Sequence, residues 1–237
     1  MLVWQQDQLQ TLERVESAAT LLAKLAKIAR GLGFEYCSLG LRLPLPVSHP
    51  RVVAISNYPQ VWQQRYRDKQ YFTADPTVRH ALTSVLPLVW SPAVFRESLE
   101  LWEEARSYGI SQGWARPSRD GRGVMSLLTV ARSAEALTDA ELTQKSHALE
   151  WLSQVGHIGM SEIMVPKCLP EASVELTPRE ISALRWSAEG KTSEEIGEIL
   201  NLADRTVNFH LSNAMQKLGA SNKTAAAVRA SVLGLLN

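Results

Sequence analysis

The chain has 237 residues and a formal net charge of +1 at pH 7, with 45% hydrophobic and 21% charged residues. These values are typical of a globular protein with a hydrophobic core, and the length suits one large or two modest domains. No apolar run reaches the roughly 18–20 residues of a membrane span, and the N-terminus lacks a basic-then-apolar secretory pattern, so we expect a cytoplasmic protein. Cys37 and Cys168 are too isolated for a disulfide framework or a zinc site, and no metal is expected.

Helical and extended patterns alternate over the first two thirds of the chain. Hydrophobic spacing predicts a long helix over residues 6–33 and another over 138–163, which begins with the capping pair Thr138 and Glu141. The shorter predicted elements are helices over 58–69, 76–85 and 91–108 and strands over 34–43, 51–56, 112–116 and 124–131. Helices around such strands indicate an α+β domain, an α-β-α sandwich around a central antiparallel sheet.

A stretch with two prolines separates this part of the chain from the C-terminal part. Residues 165–175 contain Pro166 and Pro170 and are predicted to form a linker. We therefore expect a first domain over residues 1–164 and a second over residues 176–237.

The second domain carries the start and stop signals of consecutive helices. Residues 177–180 (Thr-Pro-Arg-Glu) and 192–195 (Thr-Ser-Glu-Glu) have capping patterns, and Gly190 suits a left-handed helix end. A short turn over 201–203 precedes a longer helix over 204–218, whose apolar face contains Val207, Leu211, Ala214 and Leu218. A short support helix, a tight turn and a longer helix with a polar outer face predict an all-α helix-turn-helix domain that binds DNA.

Charge is distributed unevenly in this domain. From Glu171 onward seven Lys and Arg residues stand against eight Asp and Glu residues, a net charge of −1. From Asp204 onward the count is four to one, or +3. The positive charge therefore lies on the last two helices, so a DNA-facing side can be positive although the whole domain is not.

Residues 190–226, GKTSEEIGEILNLADRTVNFHLSNAMQKLGASNKTAA, resemble the LuxR-type DNA-binding domain of bacterial transcription regulators. That family keeps Glu, Leu and Gly at the positions of Glu180, Leu184 and Gly190. It also favours the Thr-Val-x-x-His run that begins here at Thr206. The resemblance implies DNA binding through the helix from Asp204 to Leu218.

Two positions depart from the family pattern. Ala203 stands where a capping Ser or Asp is common, so we expect Asp204 to cap the helix that contacts DNA. Asn208 stands where Lys or Arg is common, which removes one phosphate contact. The expected DNA-contacting residues are Arg205 for a base, Thr206 and Lys217 for phosphate, and Lys191, Thr192, Asn208, His210, Asn213 and Lys223 without an assigned partner.

Aromatic residues concentrate in the first domain. The cluster expected from the sequence comprises Tyr58, Trp62, Tyr66, Trp90, Trp102 and Trp114. Trp and Tyr combine a large apolar body with one polar group, which suits a small ligand with few hydrogen-bonding groups. A Trp-rich core explains the same composition, and composition alone favours it.

Spacing adds a second resemblance, to the autoinducer-binding domain of LuxR-type quorum-sensing receptors. The six residues that this family keeps are present here as Trp62, Tyr66, Asp75, Pro76, Trp90 and Gly113. The two resemblances together cover nearly the whole chain in the family order. They imply an N-acyl-homoserine lactone as the ligand.

The chemistry of the lactone head group suits these residues. The Trp62 indole N–H would donate to the ring carbonyl, and the acceptor-only Asp75 carboxylate would accept from the amide N–H. The Tyr58 hydroxyl would donate to the amide carbonyl, with Ser38 or Thr129 as helpers.

The remaining residues would enclose the ligand. Tyr66 and Trp90 would wall the lactone, and Gly113 would permit a close backbone approach. The candidates for the acyl channel, each equally explained by core packing, are Gly40, Ala54, Val78, Leu82, Ile110, Met125 and Leu127, with Arg42 at its edge.

Two patterns raise the alternative of an enzyme. Residues 109–113 match the G-x-S-x-G motif of acyl hydrolases, but a helical pattern precedes them and an extended one follows, the reverse of a nucleophile elbow. Asp75 and His80 could form a dyad, although a hydrogen-bonded structural histidine is the favoured interpretation. We expect neither an enzyme nor a cofactor.

The sequence thus predicts a quorum-sensing transcription factor that binds an N-acyl-homoserine lactone and, as a homodimer, palindromic DNA, with RNA polymerase as a further partner. A regulator of the same build that responds to another small molecule, or to none, is the alternative. The predicted dimer surfaces are the helix over 138–163 and the apolar stripe of Val228, Val232 and Leu235 on a last helix predicted over 221–236. Packing within its own domain is the alternative explanation of that stripe.

Overall fold

The computed structural model describes residues 15–236, which form two compact units. The first contains residues 15–42, 52–119 and 125–163, and the second contains residues 43–51, 120–124 and 164–236. Residues 6–14 of the first predicted helix lie outside the described residues. Among the described helices, none is long and apolar enough to cross a membrane.

A five-stranded antiparallel sheet forms the centre of the first unit. Its strands are β1 (Tyr36–Arg42), β2 (Val52–Ser56), β3 (Leu88–Val89), β4 (Gln112–Arg119) and β5 (Met125–Arg132), in the order β2-β1-β5-β4-β3. The four strands predicted from the sequence are confirmed. The sequence does not predict β3, because two residues are too few for an alternating pattern.

Helices cover both faces of this sheet, which confirms the predicted α-β-α sandwich. They are α1 (Ala18–Gly31), α2 (Gln60–Asp68), α3 (Pro76–Thr83), α4 (Leu99–Ser107) and α5 (Asp139–Cys168), with a 3-10 turn over Tyr71–Thr73. On one face, Leu25 of α1 and Leu39 of β1 lie against Gly156 of α5. On the other, residues of α2 and α4 join one buried cluster with Ala131 of β5.

The helix predicted over residues 91–108 is shorter in the structure. It begins only at Leu99, after Ser98, and residues 91–98 form hydrogen-bonded turns. The buried Ser98 hydroxyl donates to the Ala74 carbonyl at 2.6 Å. The break lets Phe95 stack beside Trp102, with ring centroids 4.4 Å apart.

Much of the segment predicted as a linker has helical structure. Helix α5 continues through Pro166 to Cys168, and Pro170–Ser173 form a 3-10 turn. Val165 and Leu169 are each 1% exposed. Val165 and Leu169 are four residues apart, so both can be buried on one side of a helical turn. Their burial stabilises helical backbone at a place where Pro166 alone would favour the end of the helix.

The helix-turn-helix order predicted for the second unit is confirmed. The helices are α6 (Pro178–Ala188), α7 (Ser193–Leu200), α8 (Asp204–Lys217) and α9 (Lys223–Val232). Capping boxes begin α6 at Thr177 and α7 at Thr192. Val207, Leu211 and Ala214 of α8 are buried.

A close approach sets the turn between α7 and α8. A Cβ atom on Gly197 would lie 2.6 Å from the Leu202 carbonyl oxygen, and Asn201 adopts a left-handed conformation with φ of 54°. The cap expected at Asp204 is wrong, because Ala203 occupies the capping position without a side-chain hydrogen bond and Asp204 is already the first helical residue.

Candidate functional sites

One face of the sheet collects the polar and apolar residues predicted for ligand binding. Ser38 pairs with Thr129, and Gly40 pairs with Leu127 on one side and Ala54 on the other. Directly paired residues of neighbouring strands project to the same face. The structure therefore places Ser38, Gly40, Ala54, Met125, Leu127 and Thr129 on a common face, with Arg42 beside Met125.

This face is less filled than the opposite one. Leu39 and Leu41, which project toward α1 and α5, are fully buried, whereas Ser38 and Gly40 are half-buried. A Cβ atom on Gly40 would meet no atom of the described residues within 4 Å. The space beside Gly40 on this face is therefore open.

An aromatic cluster occupies one end of the same face. Its buried members are Trp62, Tyr71, Phe95, Leu101, Trp102, Ala105, Ile110 and Ala131, and the partly buried residues against it are Tyr36, Tyr58, Tyr66, Trp90, Val94 and Tyr108. We call this set the aromatic cluster. It brings together Tyr58, Trp62, Tyr66 and Trp90 as predicted, and it also contains Ile110, a candidate for the acyl channel.

Two expectations about the aromatic cluster need revision. Trp114 is buried but projects to the opposite face, because it alternates with Gly113 and pairs with Val130. Tyr36 was not expected, although its spacing of two from Ser38 could have identified it. Its ring lies 5.7 Å from that of Tyr58.

Asp75 connects this cluster to the start of α3. Its Oδ1 accepts hydrogen bonds from the Thr77 backbone N–H at 2.8 Å and the Thr77 hydroxyl at 2.7 Å. Its Oδ2 accepts from the Tyr66 hydroxyl at 2.8 Å. A capping role and a cluster hydrogen bond together fix the orientation of the carboxylate.

The two neighbouring phenols stay protonated. Burial raises the pKa of Tyr58 far above its usual range, and the negative charge of Asp75 raises it further. Burial raises the pKa of Tyr66 likewise, with further contributions from its charge interaction and hydrogen bond with Asp75. Both hydroxyls therefore remain able to donate hydrogen bonds at physiological pH.

Trp90 fills the space beside Gly113. A Cβ atom on Gly113 would lie 2.3 Å from Cδ2 of the Trp90 indole, and the Trp90 backbone N–H donates to the Gly113 carbonyl at 2.8 Å. The sequence predicts a close approach to the backbone at Gly113, and the Trp90 side chain makes this approach. The indole Nε1 is buried and has no hydrogen-bond partner among the described residues.

The other candidate channel residues lie on α3. Val78 is half-buried and Leu82 is 48% exposed, one turn further along the helix. The Arg119 guanidinium donates to the Leu82 carbonyl at 2.7 Å and thereby joins α3 to β4.

Both patterns that suggested an enzyme have structural explanations. The His80 Nε2 hydrogen bonds with the Leu86 carbonyl at 2.8 Å, which confirms a structural histidine. Gly109, with φ of 79°, follows α4 and precedes β4. The order around Ser111 is therefore helix, turn and strand, the reverse of a nucleophile elbow.

In the second unit, the outer face of α8 presents the predicted DNA-contacting residues. Arg205 and Asn208 are exposed, and Thr206, His210 and Asn213 are half-buried. The Ser193 hydroxyl donates to Asn208 Oδ1 at 2.7 Å, which ties α8 to α7. Lys223 is exposed at the start of α9.

Three other predicted contacts already have partners. Lys191 pairs with Glu195 at 3.1 Å, and the Thr192 hydroxyl caps α7. The Lys217 ammonium donates to Glu180 Oε2 at 2.8 Å and to the Glu175 carbonyl at 3.2 Å. Since Glu180 is only 3% exposed, this pair joins the end of α8 to the start of α6.

Comparisons with known proteins agree with this architecture. Residues 17–158 match the autoinducer binding domain, and residues 174–230 match the luxR family of bacterial regulatory proteins. The chain is 44% identical to the transcriptional activator protein AnoR of Acinetobacter nosocomialis, over 98% of this chain and 99% of AnoR. It is 33% identical to the quorum-sensing regulator RhlR of Pseudomonas aeruginosa, over 99% and 97% of the two chains.

A solved structure has the same fold. SdiA in complex with octanoyl-rac-glycerol superposes with a TM-score of 0.81 and 30% identity, over 99% of this chain and 96% of SdiA. The antiparallel sheet between helices and the helix-turn-helix unit are thus part of a fold shared with that structure. The chain belongs to the LuxR family of quorum-sensing transcriptional regulators, with an autoinducer-binding domain followed by a DNA-binding domain.

Proposed function

We propose that the first unit binds an N-acyl-homoserine lactone and that the second, in a homodimer, binds palindromic DNA. The observation that carries the ligand proposal is Asp75, held by its capping bonds and by Tyr66 at the edge of the aromatic cluster. From the aromatic cluster, the sheet face continues past Ser38 to the open space at Gly40. A polar head at Asp75 and an acyl chain along β1 match these two environments.

Asp75 has capacity for one more donor. A carboxylate offers about four acceptor positions, and Asp75 accepts three hydrogen bonds from the residues that the structure describes. The amide N–H of an acyl-homoserine lactone supplies the fourth. Trp62 would donate to the ring carbonyl and Tyr58 to the amide carbonyl, with Ser38 or Thr129 assisting.

Thermal unfolding of the full chain tests this proposal. Protein prepared without lactone is melted with a panel of acyl-homoserine lactones, with homoserine lactone alone and with fatty acids of matching length. A cognate lactone should stabilise the folded state by about 2.7 kcal/mol at a hundredfold excess over Kd, and the two fragments should do far less. An unchanged melting temperature across the panel would contradict the proposal.

A regulator with another acylated ligand is the second candidate. The solved complex of SdiA with octanoyl-rac-glycerol favours it, because that molecule has an acyl chain without a lactone or an amide. Stabilisation by monoacylglycerols together with indifference to every lactone would support this alternative.

The proposed dimer uses an exposed stripe on α9. Val228 is 43% exposed and Val232 is half-buried, whereas Leu235 lies beyond the end of α9 and is half-buried there. On α5, Ile158 is 47% exposed and offers a second surface. One α8 helix contacts only a few base pairs, so the two helices of a dimer should contact half-sites about 10 bp apart. The DNA-bound dimer would then interact with RNA polymerase.

Footprinting and fluorescence anisotropy with ligand-loaded protein test the DNA part. Two-fold symmetric protection is expected, and Val228→Asp should remove it while leaving the melting temperature of the ligand-binding unit unchanged. Arg205→Ala should reduce the preference for operator over random DNA, because Arg205 is the proposed base contact. Asymmetric protection, or an unchanged preference in Arg205→Ala, would contradict these assignments.

A further inference from the structure

Phe209 is an aromatic residue on the polar side of α8. Its side chain is 61% exposed, whereas Val207 and Leu211, two residues away on either side, are 0% and 3% exposed. Successive helical residues are separated by about 100°, so Phe209 projects roughly opposite to the buried stripe. Core packing therefore does not explain this phenylalanine.

The surroundings of Phe209 are those of a DNA-contacting surface. Arg205 lies one turn before it and Ser212 one turn after it, and both are exposed. Phe209 is in the first half of α8, the half from which a helix-turn-helix domain contacts base edges. Its ring meets that of His210 edge-on, with centroids 5.7 Å apart, which restricts its direction.

The chemistry of the side chain selects one target in the major groove. A phenyl ring neither donates nor accepts a conventional hydrogen bond, so it gains nothing from the polar base edges. The 5-methyl group of thymine is the apolar group that the four base pairs present there. We infer that Phe209 contacts a thymine methyl group in each half-site and so contributes to operator specificity. This inference rests on the proposed binding of α8 to a palindromic operator.

Replacement of thymine by uracil tests the contact, because uracil lacks only the methyl group. The operator defined by footprinting is synthesised with each thymine changed to uracil in turn, and ligand-loaded full-length protein is titrated by anisotropy. In each half-site, one thymine position should be sensitive to this change. Uracil at that position in one half-site should raise the Kd about fourfold, the effect of one buried methyl group, and uracil in both half-sites should raise it about sixteenfold.

The variant Phe209→Ala should bind the unmodified operator more weakly and should bind the thymine and uracil operators equally. Ile199→Ala is the matched control, since Ile199 is also exposed, at 45%, but lies on α7. That control should keep the wild-type ratio between the two operators. An unchanged melting temperature establishes that both variants fold.

Three outcomes would overturn the inference. Equal uracil effects in wild-type protein and Phe209→Ala would exclude the methyl contact while leaving the proposed function intact. Reduced dimerisation of Phe209→Ala with an unchanged uracil effect would assign Phe209 to a protein contact. Failure of the wild-type protein to bind any operator would overturn the proposed DNA binding together with this inference.

Discussion

The indole of Trp90 occupies the position that a side chain on Gly113 would need. The distance from a Gly113 Cβ atom to Trp90 Cδ2 would be 2.3 Å, and the backbones of the two residues are hydrogen bonded at 2.8 Å. Trp90 in turn packs edge-on against Phe95, with ring centroids 5.5 Å apart. The glycine therefore positions one wall of the aromatic cluster.

Gly113→Ala should displace Trp90 and impair ligand response. The methyl group cannot fit without movement of a packed ring, and overpacking of this kind typically costs about 1–3 kcal/mol. The measurement is the melting temperature with and without lactone. Gly40→Ala, on the same sheet face but in open space, is the matched control and should melt like the wild type without ligand. A wild-type lactone response in Gly113→Ala would contradict this role.

Asp75→Asn should weaken ligand response strongly and still fold. Asparagine retains the ability to cap α3, but it cannot accept from every donor that Asp75 serves, and a lost buried hydrogen bond costs about 1–3 kcal/mol, more if a charge is involved. Trp62→Phe should have a similar effect through loss of the indole donor. Reporter dose-response curves measure both. Half-maximal response of Asp75→Asn at the wild-type lactone concentration would show that the head-group assignment is wrong.

Glu141 should contribute to stability in a pH-dependent way. Hydrogen bonds from Arg132 and Lys145 lower its pKa to about 2. Because the folded pKa lies below the ordinary value of 4.5, this stabilisation is complete above that value and is lost as the pH falls toward 2. The melting temperatures of wild type and Glu141→Gln should therefore differ at pH 7 and converge in acid. A constant difference across that range would exclude the titration of Glu141 as the cause.

Lys217→Ala should destabilise the second unit. The substitution leaves the buried Glu180 without its cation, a change that costs about 3–5 kcal/mol for a fully buried pair and less here, because the Lys217 side chain is 37% exposed and water screens the interaction. Lys223→Ala also removes one positive charge, but the Lys223 side chain has no hydrogen bond or ion pair among the described residues. The melting temperature of this variant should therefore equal that of the wild type. Melting curves and the salt dependence of DNA binding separate the two effects. Unchanged stability of Lys217→Ala with a flatter salt dependence would favour the phosphate contact predicted from the sequence.

Glu180 should also make stability depend on pH. Its burial by itself raises the pKa, but hydrogen bonds from Lys217 and Thr177 outweigh burial and the net pKa is lowered. The stabilisation is therefore present above the ordinary value of 4.5 and is lost in acid. Lys217→Ala should melt closer to the wild type as the pH falls below 4.5, whereas an undiminished difference there would contradict the pairing.

Local signals in the sequence determined the helices of the second unit. The capping boxes at Thr177 and Thr192 depend on side chains three residues apart, so they can be identified without a tertiary contact. The strands β1 and β5 were predictable for a similar reason, since their alternation is a local property. The break before Leu99 was not, because it depends on Ser98 reaching Ala74 and on Phe95 packing against Trp102.

For the candidate sites, the sequence determined which residue types are available, and the tertiary structure decided which of them meet. Family spacing identified Trp62 and Asp75 from the sequence. Only the strand register placed Ser38 beside Thr129. Only the alternation of side chains along β4 separated Trp114 from the aromatic cluster. Lys217 was a plausible phosphate contact by position alone. Its pairing with Glu180, 37 residues earlier in the chain, depends on how α6 packs against α8. Contacts of this kind are determined by the folded arrangement and not by local spacing, because burial and long-range partners exist only after the chain has folded.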